Sequence, residues 1–252
     1  FTGNGEEFLK GEASIEITAL GEFKVYASAT DIGQGAITTL SQMAATALGV
    51  AVGKIRMAKV STDQVPDSGP TVASRTCMIV GSVLVEAATK IKSQLLEFAQ
   101  LRSLAVDDVS LLAEKYYAEI GPLVRKTVYK PPPDVEWDAE LYQGAAYPVY
   151  GWAACYVELA LDLDSLEVTV ERCIHAVDVG KAINPKIVQG QIDGGTMQAL
   201  GWALWENICY QDGAVQNRRM TDCIIPTFVE APEIESLIVE EPFPDGPFGA
   251  KG

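Results

Sequence analysis

Histidine is almost absent from this chain of 252 residues, because His175 is the only one. A zinc site built from several histidines is therefore excluded, and a serine–histidine–aspartate triad would have to use His175. That residue lies in the apolar strand pattern of residues 168–179, where a single histidine is more often a hydrogen-bonded core residue. The five cysteines are scattered, odd in number and form no Cys-x-x-Cys pair. This pattern favours reduced thiols in a cytoplasmic protein over a disulfide framework.

Basic residues are also scarce, since 19 Lys and Arg stand against 34 Asp and Glu, for a net charge of −15. No basic stripe is visible, so we expect neither nucleic acid nor an anionic membrane as a partner. No apolar run approaches the roughly 20 residues that a membrane helix needs. The first residues have neither a basic start nor an apolar core, so we expect no signal peptide. With 48% hydrophobic residues, the composition is typical of a globular protein with a packed core.

The spacing of apolar residues predicts an α+β protein with mixed sheets and long packed helices. Alternation predicts strands, and helical spacing predicts helices that begin after polar or glycine-rich segments. The predicted strands lie at 13–20, 23–29, 54–60, 153–163, 167–179 and 236–240, and the predicted helices at 37–48, 71–101, 110–120 and 185–206, the last one interrupted at Gly194-Gly195. A hairpin turn is predicted at Asp212-Gly213, and a surface loop at Pro131-Pro132-Pro133. We expect two α+β subdomains, about 1–130 and 140–252, within one segment.

Two glutamines stand among glycines at distant points of the chain. Gln34 lies in Gly33-Gln34-Gly35, between a predicted hairpin and a predicted helix, and Gln191 lies in the segment 189–195. Glycine lets the backbone turn sharply and approach a ligand, while a carboxamide donates and accepts without charge. The helix after Gly35 would also offer free N–H groups to an anion. We interpret both segments as loops that hold one ligand, although each alone is also an ordinary turn.

A third segment, 68–77, places small and hydroxylated residues at a predicted helix start. These residues can simply cap the helix. The same N–H and hydroxyl groups can also bind phosphate, with Arg75 as a charge partner. The glycine spacing fits neither the dinucleotide-binding Gly-x-Gly-x-x-Gly pattern nor a P-loop.

Taken in order, these segments resemble the molybdenum hydroxylase family, which includes xanthine dehydrogenase, aldehyde oxidase and bacterial relatives. The resemblance extends over nearly the whole chain and corresponds to the second, C-terminal half of the molybdopterin-binding region. It is carried by Phe1-Thr2-Gly3, Asp31-Ile32-Gly33-Gln34-Gly35, Pro70-Thr71-Val72-Ala73-Ser74-Arg75, Tyr150-Gly151-Trp152-Ala153-Ala154, Asp178-Val179-Gly180 with Asn184-Pro185, Gly190-Gln191-Ile192-Asp193-Gly194 and Gly249-Ala250-Lys251-Gly252.

The resemblance implies that the chain binds molybdopterin, alone or as the cytosine dinucleotide, together with molybdenum. It points to cofactor-binding residues in all three segments, none of them a direct metal ligand. These residues are Gly33, Gln34, Gly35, Val72, Ala73, Ser74, Arg75, Thr76 and Gln191. Phe1 and Thr2 match a pair that lines the substrate pocket of the family.

The resemblance further implies hydroxylation of an electron-poor carbon, with water as the oxygen source and a glutamate as general base. The substrate would be an N-heteroaromatic, purine-like or nicotinate-like ring, or an aldehyde. The glutamate belongs to a Gly-x-Gly-Glu motif whose first glycine would be Gly252, so no catalytic residue is assigned within the chain. Carbon monoxide dehydrogenases carry a cysteine in a loop like 73–77, and Thr76 stands at the aligned position here, which disfavours that activity.

The implied partners are the other half of the molybdenum-binding region, an iron–sulfur subunit and a flavin subunit. Iron–sulfur clusters and FAD would then lie on those partner chains. The alternative interpretation is a non-catalytic scaffold or binding subunit that keeps the fold without the chemistry.

Overall fold

The computed structural model describes every residue except Phe1, Thr2, Asn4, Pro133, Asp134 and Cys223. The chain divides into two compact units. The first consists of Phe1–Gly151, Val179–Ile183 and Glu241–Gly252, and the second of Trp152–Asp178 and Asn184–Glu240. Within the described part of the chain, no helix is both long enough and apolar enough to cross a membrane.

The first unit is an α+β layer of helices on a small sheet. Its helices are α1 (Glu6–Leu9), α2 (Ala36–Leu48), α3 (Gly81–Leu101) and α4 (Val109–Glu119), and its strands are β1 (Glu12–Ile17), β2 (Phe23–Tyr26), β3 (Ile55–Met57), β4 (Val124–Val128), β5 (Glu136–Asp138) and β6 (Gln143–Ala145). The four-stranded sheet has the order β3-β2-β1-β4, and β5 pairs with β6 separately. β1 is antiparallel to both β2 and β4, whereas β2 and β3 are parallel.

The core of this unit follows from alternation in β1 and helical spacing in α3. Ala13, Ile15 and Ile17 occupy one buried face of β1. Helix α3 packs on this sheet and between α2 and α4, and its buried residues recur three or four positions apart. Helix α2 ends where predicted, because Gly49 adopts a left-handed φ of 77° and its N–H binds Ala45 O and Thr46 O.

Four predicted elements of the first unit are shorter than the sequence suggested, and two of them are the strands expected over 13–20 and 23–29, which cover Glu12–Ile17 and Phe23–Tyr26. The strand expected over 54–60 covers only Ile55–Met57, after a turn of 3₁₀ helix at Val52–Lys54. The helix expected from 71–75 begins at Thr76, with a π-helical turn over Thr76–Val80 before α3. Residues 71–75 are therefore an irregular segment in front of the helix.

The second unit contains β7 (Ala153–Leu161), β8 (Val168–Asp178), α5 (Pro185–Leu204), β9 (Tyr210–Gln211), β10 (Ala214–Val215) and β11 (Glu233–Val239). Its sheet has the order β11-β8-β7, with β7 antiparallel and β11 parallel to β8. The predicted turn between β9 and β10 is confirmed, since Asp212 and Gly213 have φ values of 49° and 76°. Such a pair of left-handed residues is typical of a type I′ turn.

Helix α5 corrects the expectation of a break at Gly194-Gly195. It is continuous from Pro185 to Leu204, with the Asn184 side chain accepting from the Ile187 N–H at 3.2 Å and proline in its first turn. Two contacts hold the turn around the glycines on the sheet: Ser236 Oγ lies 3.3 Å from Asp193 Oδ1, and Thr196 Oγ1 lies 2.9 Å from His175 Nε2. These tertiary contacts outweigh a helix cost of roughly 1 kcal/mol per glycine.

Candidate cofactor site

Gln34 closes its own loop with its carboxamide. Its Oε1 accepts from the Ile32 N–H at 2.7 Å, and its Nε2 donates to Thr30 O at 2.8 Å. A carboxamide can accept two hydrogen bonds and donate two, so one of each remains for a ligand. Gly33 and Gly35 have left-handed φ values of 110° and 79°, which permit the tight turn around this side chain.

Asp31 caps the helix that follows the loop. Its carboxylate accepts from the N–H groups of Gly33 at 3.0 Å, Gly35 at 3.3 Å and Ile37 at 3.0 Å. The hydrogen bond from Ile37, followed by that from Gly33, lowers the pKa of Asp31 below its ordinary value. Asp31 therefore already takes the N–H groups of Gly35 and Ile37 at this helix start, so an anion would have fewer donors there than the sequence suggested.

The segment Val72–Thr76 combines exposure with an uncommon backbone conformation. Val72, Ala73 and Ser74 are exposed, and Ala73 and Ser74 have φ values of 51° and 55°. A left-handed conformation costs a non-glycine residue roughly 1–2 kcal/mol. Two successive residues of this kind, separated from a π-helical turn only by Arg75, form a strained backbone of the type that is often found at functional sites.

Hydroxyl groups hold the Gln34 loop and this segment side by side in the first unit. The Thr30 N–H donates to Thr71 Oγ1 at 3.0 Å. Ser28 and Ser68 form a reciprocal pair, in which the N–H of each donates to the Oγ of the other at 2.8 Å. The structure thus brings two of the predicted cofactor segments together. The sequence indicated Thr71 only as one of the hydroxylated residues of the segment 68–77, and it did not single out Ser28 or Thr30.

The structure corrects the predicted role of Arg75 as a charge partner for phosphate. Its side chain is only 1% exposed and forms an ion pair with Glu6 at 2.8 Å. Its remaining donors bind the carbonyl oxygens of Lys10, Ser68 and Pro70. The guanidinium therefore lies in the interior and supports the segment from behind.

The other predicted site residues lie elsewhere. Gln191 is exposed on α5 of the second unit, so it projects from a helix and not from the loop that the sequence suggested. Phe1 and Thr2 lie outside the described residues. Thr76 is half-buried in the first turn after the irregular segment.

Two further motifs of the sequence meet in the first unit. The Lys181 N–H donates to Gly249 O at 2.8 Å, and the Lys251 N–H donates to Val179 O at 3.0 Å. Gly180 has a φ of +64°, and a Cβ there would lie 2.3 Å from Gly249 O. Only glycine therefore allows this close pairing of the two backbones. Lys251 Nζ also donates to Tyr150 O at 3.1 Å, so Tyr150, the first residue of a third motif, lies beside these two segments.

His175 makes the hydrogen bond expected of a structural histidine. It is half-buried, with Nε2 bonded to Thr196 Oγ1, and the Thr196 hydroxyl donates onward to Ile192 O at 2.8 Å. Cys155 Sγ lies 4.0 Å from the same Nε2. Among the described residues, no group of three His, Cys, Asp or Glu side chains could hold a metal ion.

The chain is similar to known molybdopterin-binding proteins. The model of the molybdopterin cofactor-binding domain family matches residues 1–232. The xanthine dehydrogenase molybdenum-binding subunit of Escherichia coli O157:H7 is 29% identical over 244 residues, which is 92% of this chain and 32% of that protein. The chain thus spans about a third of this relative's length.

Solved structures show the same fold. The carbon monoxide dehydrogenase from Oligotropha carboxidovorans superposes with a TM-score of 0.83 at 26% identity, covering 97% of this chain and 32% of that one. Quinoline 2-oxidoreductase from Pseudomonas putida 86 gives a TM-score of 0.81 at 25% identity, with 96% and 33% covered. The α+β fold predicted from the sequence is confirmed. The chain belongs to the molybdopterin cofactor-binding domain family of the molybdenum hydroxylases.

Proposed function

We propose that residues 1–252 form the second molybdopterin-binding segment of a molybdenum hydroxylase-type oxidoreductase. The observation that carries this proposal is the hydrogen bond from Thr30 to Thr71, which holds the Gln34 loop beside the segment 72–76. The loop presents an uncharged carboxamide with spare hydrogen-bonding capacity. The segment presents exposed backbone beside hydroxyl groups, a type of donor set that suits phosphate. These neutral groups fit a heteroatom-rich pterin that carries a phosphate.

Each predicted residue then has a proposed task. Gly33 and Gly35 shape the loop that presents Gln34 to the pterin. Val72, Ala73, Ser74 and Thr76 surround the phosphate or an attached nucleotide, and Arg75 supports them from the interior. Gln191 contributes a second carboxamide to the same cofactor. Phe1 and Thr2 line the substrate pocket.

When bound, the molybdenum cofactor supplies the hydroxylation of an electron-poor carbon with water as the oxygen source. The residues of this chain would bind and orient the cofactor, and no catalytic residue is assigned among them. An N-heteroaromatic ring or an aldehyde is the proposed substrate. Similarity to a xanthine dehydrogenase subunit and to a quinoline 2-oxidoreductase supports the first of these two classes.

The electrons leave through partner chains in this proposal. In line with the resemblance to the molybdenum hydroxylases, we assign the iron–sulfur clusters and FAD to other subunits; among the described residues, no group of three His, Cys, Asp or Glu side chains could hold a metal ion. The chain spans about a third of its relatives, which supports a partner that supplies the other half of the molybdenum-binding region.

Replacement of Gln34 tests the proposed site in the protein purified as it occurs in the cell. Gln34→Ala removes a carboxamide that we place on the pterin, and we expect cofactor retention to weaken by about 1–3 kcal/mol. The measurement is molybdenum and released pterin per protein. Gln100→Ala is the matched control, because Gln100 is exposed at the end of α3 and should keep the full cofactor content.

The same measurement separates the enzyme from the non-catalytic alternative. Molybdenum and pterin in the wild-type protein, reduced by Gln34→Ala alone, would support the hydroxylase. A wild-type protein that is active or correctly assembled yet contains neither would overturn the proposal and favour a scaffold.

A further inference from the structure

We infer that Glu6 and Arg75 form a positioning pair, which fixes the segment 68–76 in the conformation that binds the cofactor phosphate. The inference deepens the proposed function and rests on it. Neither residue touches the cofactor in this account, since both side chains lie in the interior, 4% and 1% exposed.

Every donor of the Arg75 guanidinium has an acceptor. Nε lies 3.1 Å from Glu6 Oε2, and Nη2 lies 2.8 Å from the same oxygen. Nη2 also donates to Lys10 O at 2.6 Å, and Nη1 donates to Ser68 O at 2.8 Å and Pro70 O at 3.2 Å. One planar group therefore ties α1 and the residue after it to the segment 68–70. Because the guanidinium is rigid, these bonds fix direction as well as distance.

Glycine makes room for this arrangement. Gly69 has a φ of +73°, and a Cβ there would lie 2.4 Å from Leu9 O and 2.6 Å from Arg75 Nη1. A Cβ at Gly11 would lie 2.7 Å from Ile79 Cγ2 and 3.7 Å from Arg75 Nη2. Side chains at these two positions would displace the backbone around the guanidinium, so the pair is part of the local packing.

The position of Arg75 in the chain explains what the pair controls. Arg75 is buried, whereas the three residues before it, Val72, Ala73 and Ser74, are exposed. The Arg75 side chain is held in the interior, and its hydrogen bond to Pro70 O holds Pro70 beside it. With both ends of the segment fixed, the residues between them are directed toward solvent. Ala73 and Ser74 then adopt left-handed conformations that isolated residues of these types avoid.

The residues that Arg75 holds in place also form hydrogen bonds with the residues before the Gln34 loop and at its start. Ser68, whose carbonyl binds Arg75, also accepts the Ser28 N–H, and Thr71 accepts the Thr30 N–H. Release of the segment 68–71 would therefore loosen both proposed cofactor elements together. An ion pair that only stabilised the core would not loosen these two cofactor elements selectively.

The test compares single and double replacements in the protein purified as it occurs in the cell. Glu6→Gln leaves the buried guanidinium without its counter-charge, so this variant should lose both stability and cofactor. Glu6→Gln combined with Arg75→Gln removes both charges, and thermal stability should recover at least in part. Cofactor retention should stay roughly 10-fold weaker in the double variant, an effect of the size seen when residues that orient metal ligands are replaced.

Glu22→Gln is the matched control, because it removes a carboxylate that pairs with Arg56 at 2.7 Å on the same sheet without touching the segment 68–76. Pterin per protein and the thermal midpoint are measured for all forms. If the double variant regains pterin together with its thermal midpoint, the pair is only a stabilising contact and the inference fails.

A second measurement does not depend on the cofactor. In cofactor-free protein, amide hydrogen exchange of residues 68–76 should become faster in the double variant, whose thermal stability recovers, by more than any change at the buried amides of β1 and α3, which report global stability. Unchanged exchange at 68–76 would overturn the positioning role. Wild-type protein that never contains molybdopterin would overturn the proposed function instead, and the exchange measurement would still decide the inference.

Discussion

Asp31 is a residue whose contribution depends on pH. Its pKa is lowered by hydrogen bonds from the backbone, first that of Ile37 and then that of Gly33. A lowered pKa means that the stabilisation is complete above the ordinary value of 3.8 and is lost as the pH falls through the pKa of the folded protein. We expect Asp31→Ala to lower the free energy of unfolding by about 1 kcal/mol at pH 7, the usual effect of a lost cap.

This difference between wild type and Asp31→Ala should be smaller at pH 3, because that pH lies below the ordinary carboxyl pKa of 3.8 and closer to the lowered pKa of Asp31, through which the stabilisation is lost. Denaturant unfolding at the two pH values measures it. Glu97→Ala, an exposed replacement in α3, should change the free energy of unfolding by less than about 0.5 kcal/mol at both. A difference for Asp31→Ala that persists unchanged at pH 3 would rule out the cap as its cause.

Cys77 should be an unreactive thiol. Burial raises its pKa from 9.0 to about 11, so at pH 8 it has roughly 100-fold less thiolate than an unperturbed cysteine. Cys209 is exposed, and both residues are free thiols. We expect iodoacetamide to modify Cys209 first and Cys77 only after unfolding, as read by mass spectrometry of the peptides. Equal rates in the native protein would show that Cys77 is accessible.

At the scale of elements, the sequence predicted most helices and strands because their patterns are local. The hairpins and the end of α2 at Gly49 follow from alternation and from a left-handed glycine, both visible in the sequence. The predictions failed where distant contacts decide. Helix α5 passes through Gly194-Gly195 because of its contacts with the sheet, and α3 begins late because Arg75 is anchored to Glu6, 69 positions away.

The continuity of α5 predicts that alanine is tolerated within it. A Cβ at Gly194 would meet nothing within 4 Å, and its φ is not in the left-handed region. Gly194→Ala should therefore raise the free energy of unfolding by about 0.5–1 kcal/mol. Gly49→Ala is the contrasting variant, because its φ of +77° makes a side chain strained, and it should destabilise. Calorimetric unfolding measures both. If Gly194→Ala instead lowers the free energy of unfolding, residue 194 lies in a loop and not within a helix.

At the scale of the whole molecule, the order of the sequence motifs predicted the family. The structure shows two places where motifs distant in the sequence contact each other. The Gln34 loop meets the segment 72–76, and Val179–Lys181 meets Gly249–Lys251. The sequence could not assign Arg75 to the interior, since an arginine in a polar segment usually faces solvent. It also could not name the hydroxyl pairs, because serine and threonine are common in any loop.

The exposed apolar surface of the second unit supports the last prediction. All nine residues of β7 are exposed, including Tyr156, Leu159 and Leu161, and Trp202 and Phe228 of the same unit are also exposed. Monomeric proteins rarely leave so much apolar surface uncovered. Because the chain spans about a third of its relatives, we propose that the rest of the molybdenum-binding region covers it, across an interface above about 2,000 Å².

We therefore expect the 252-residue chain expressed alone to aggregate or to purify without molybdopterin. It should show no turnover with an artificial electron acceptor, and co-expression with the remaining region should restore solubility and cofactor.

Within that complex, Leu159→Glu should reduce co-purification of the partner, because a charge would be buried against apolar surface. Leu20→Glu, at an exposed turn of the first unit, should leave it intact. A soluble isolated monomer that binds cofactor and hydroxylates a heterocycle would contradict this expectation.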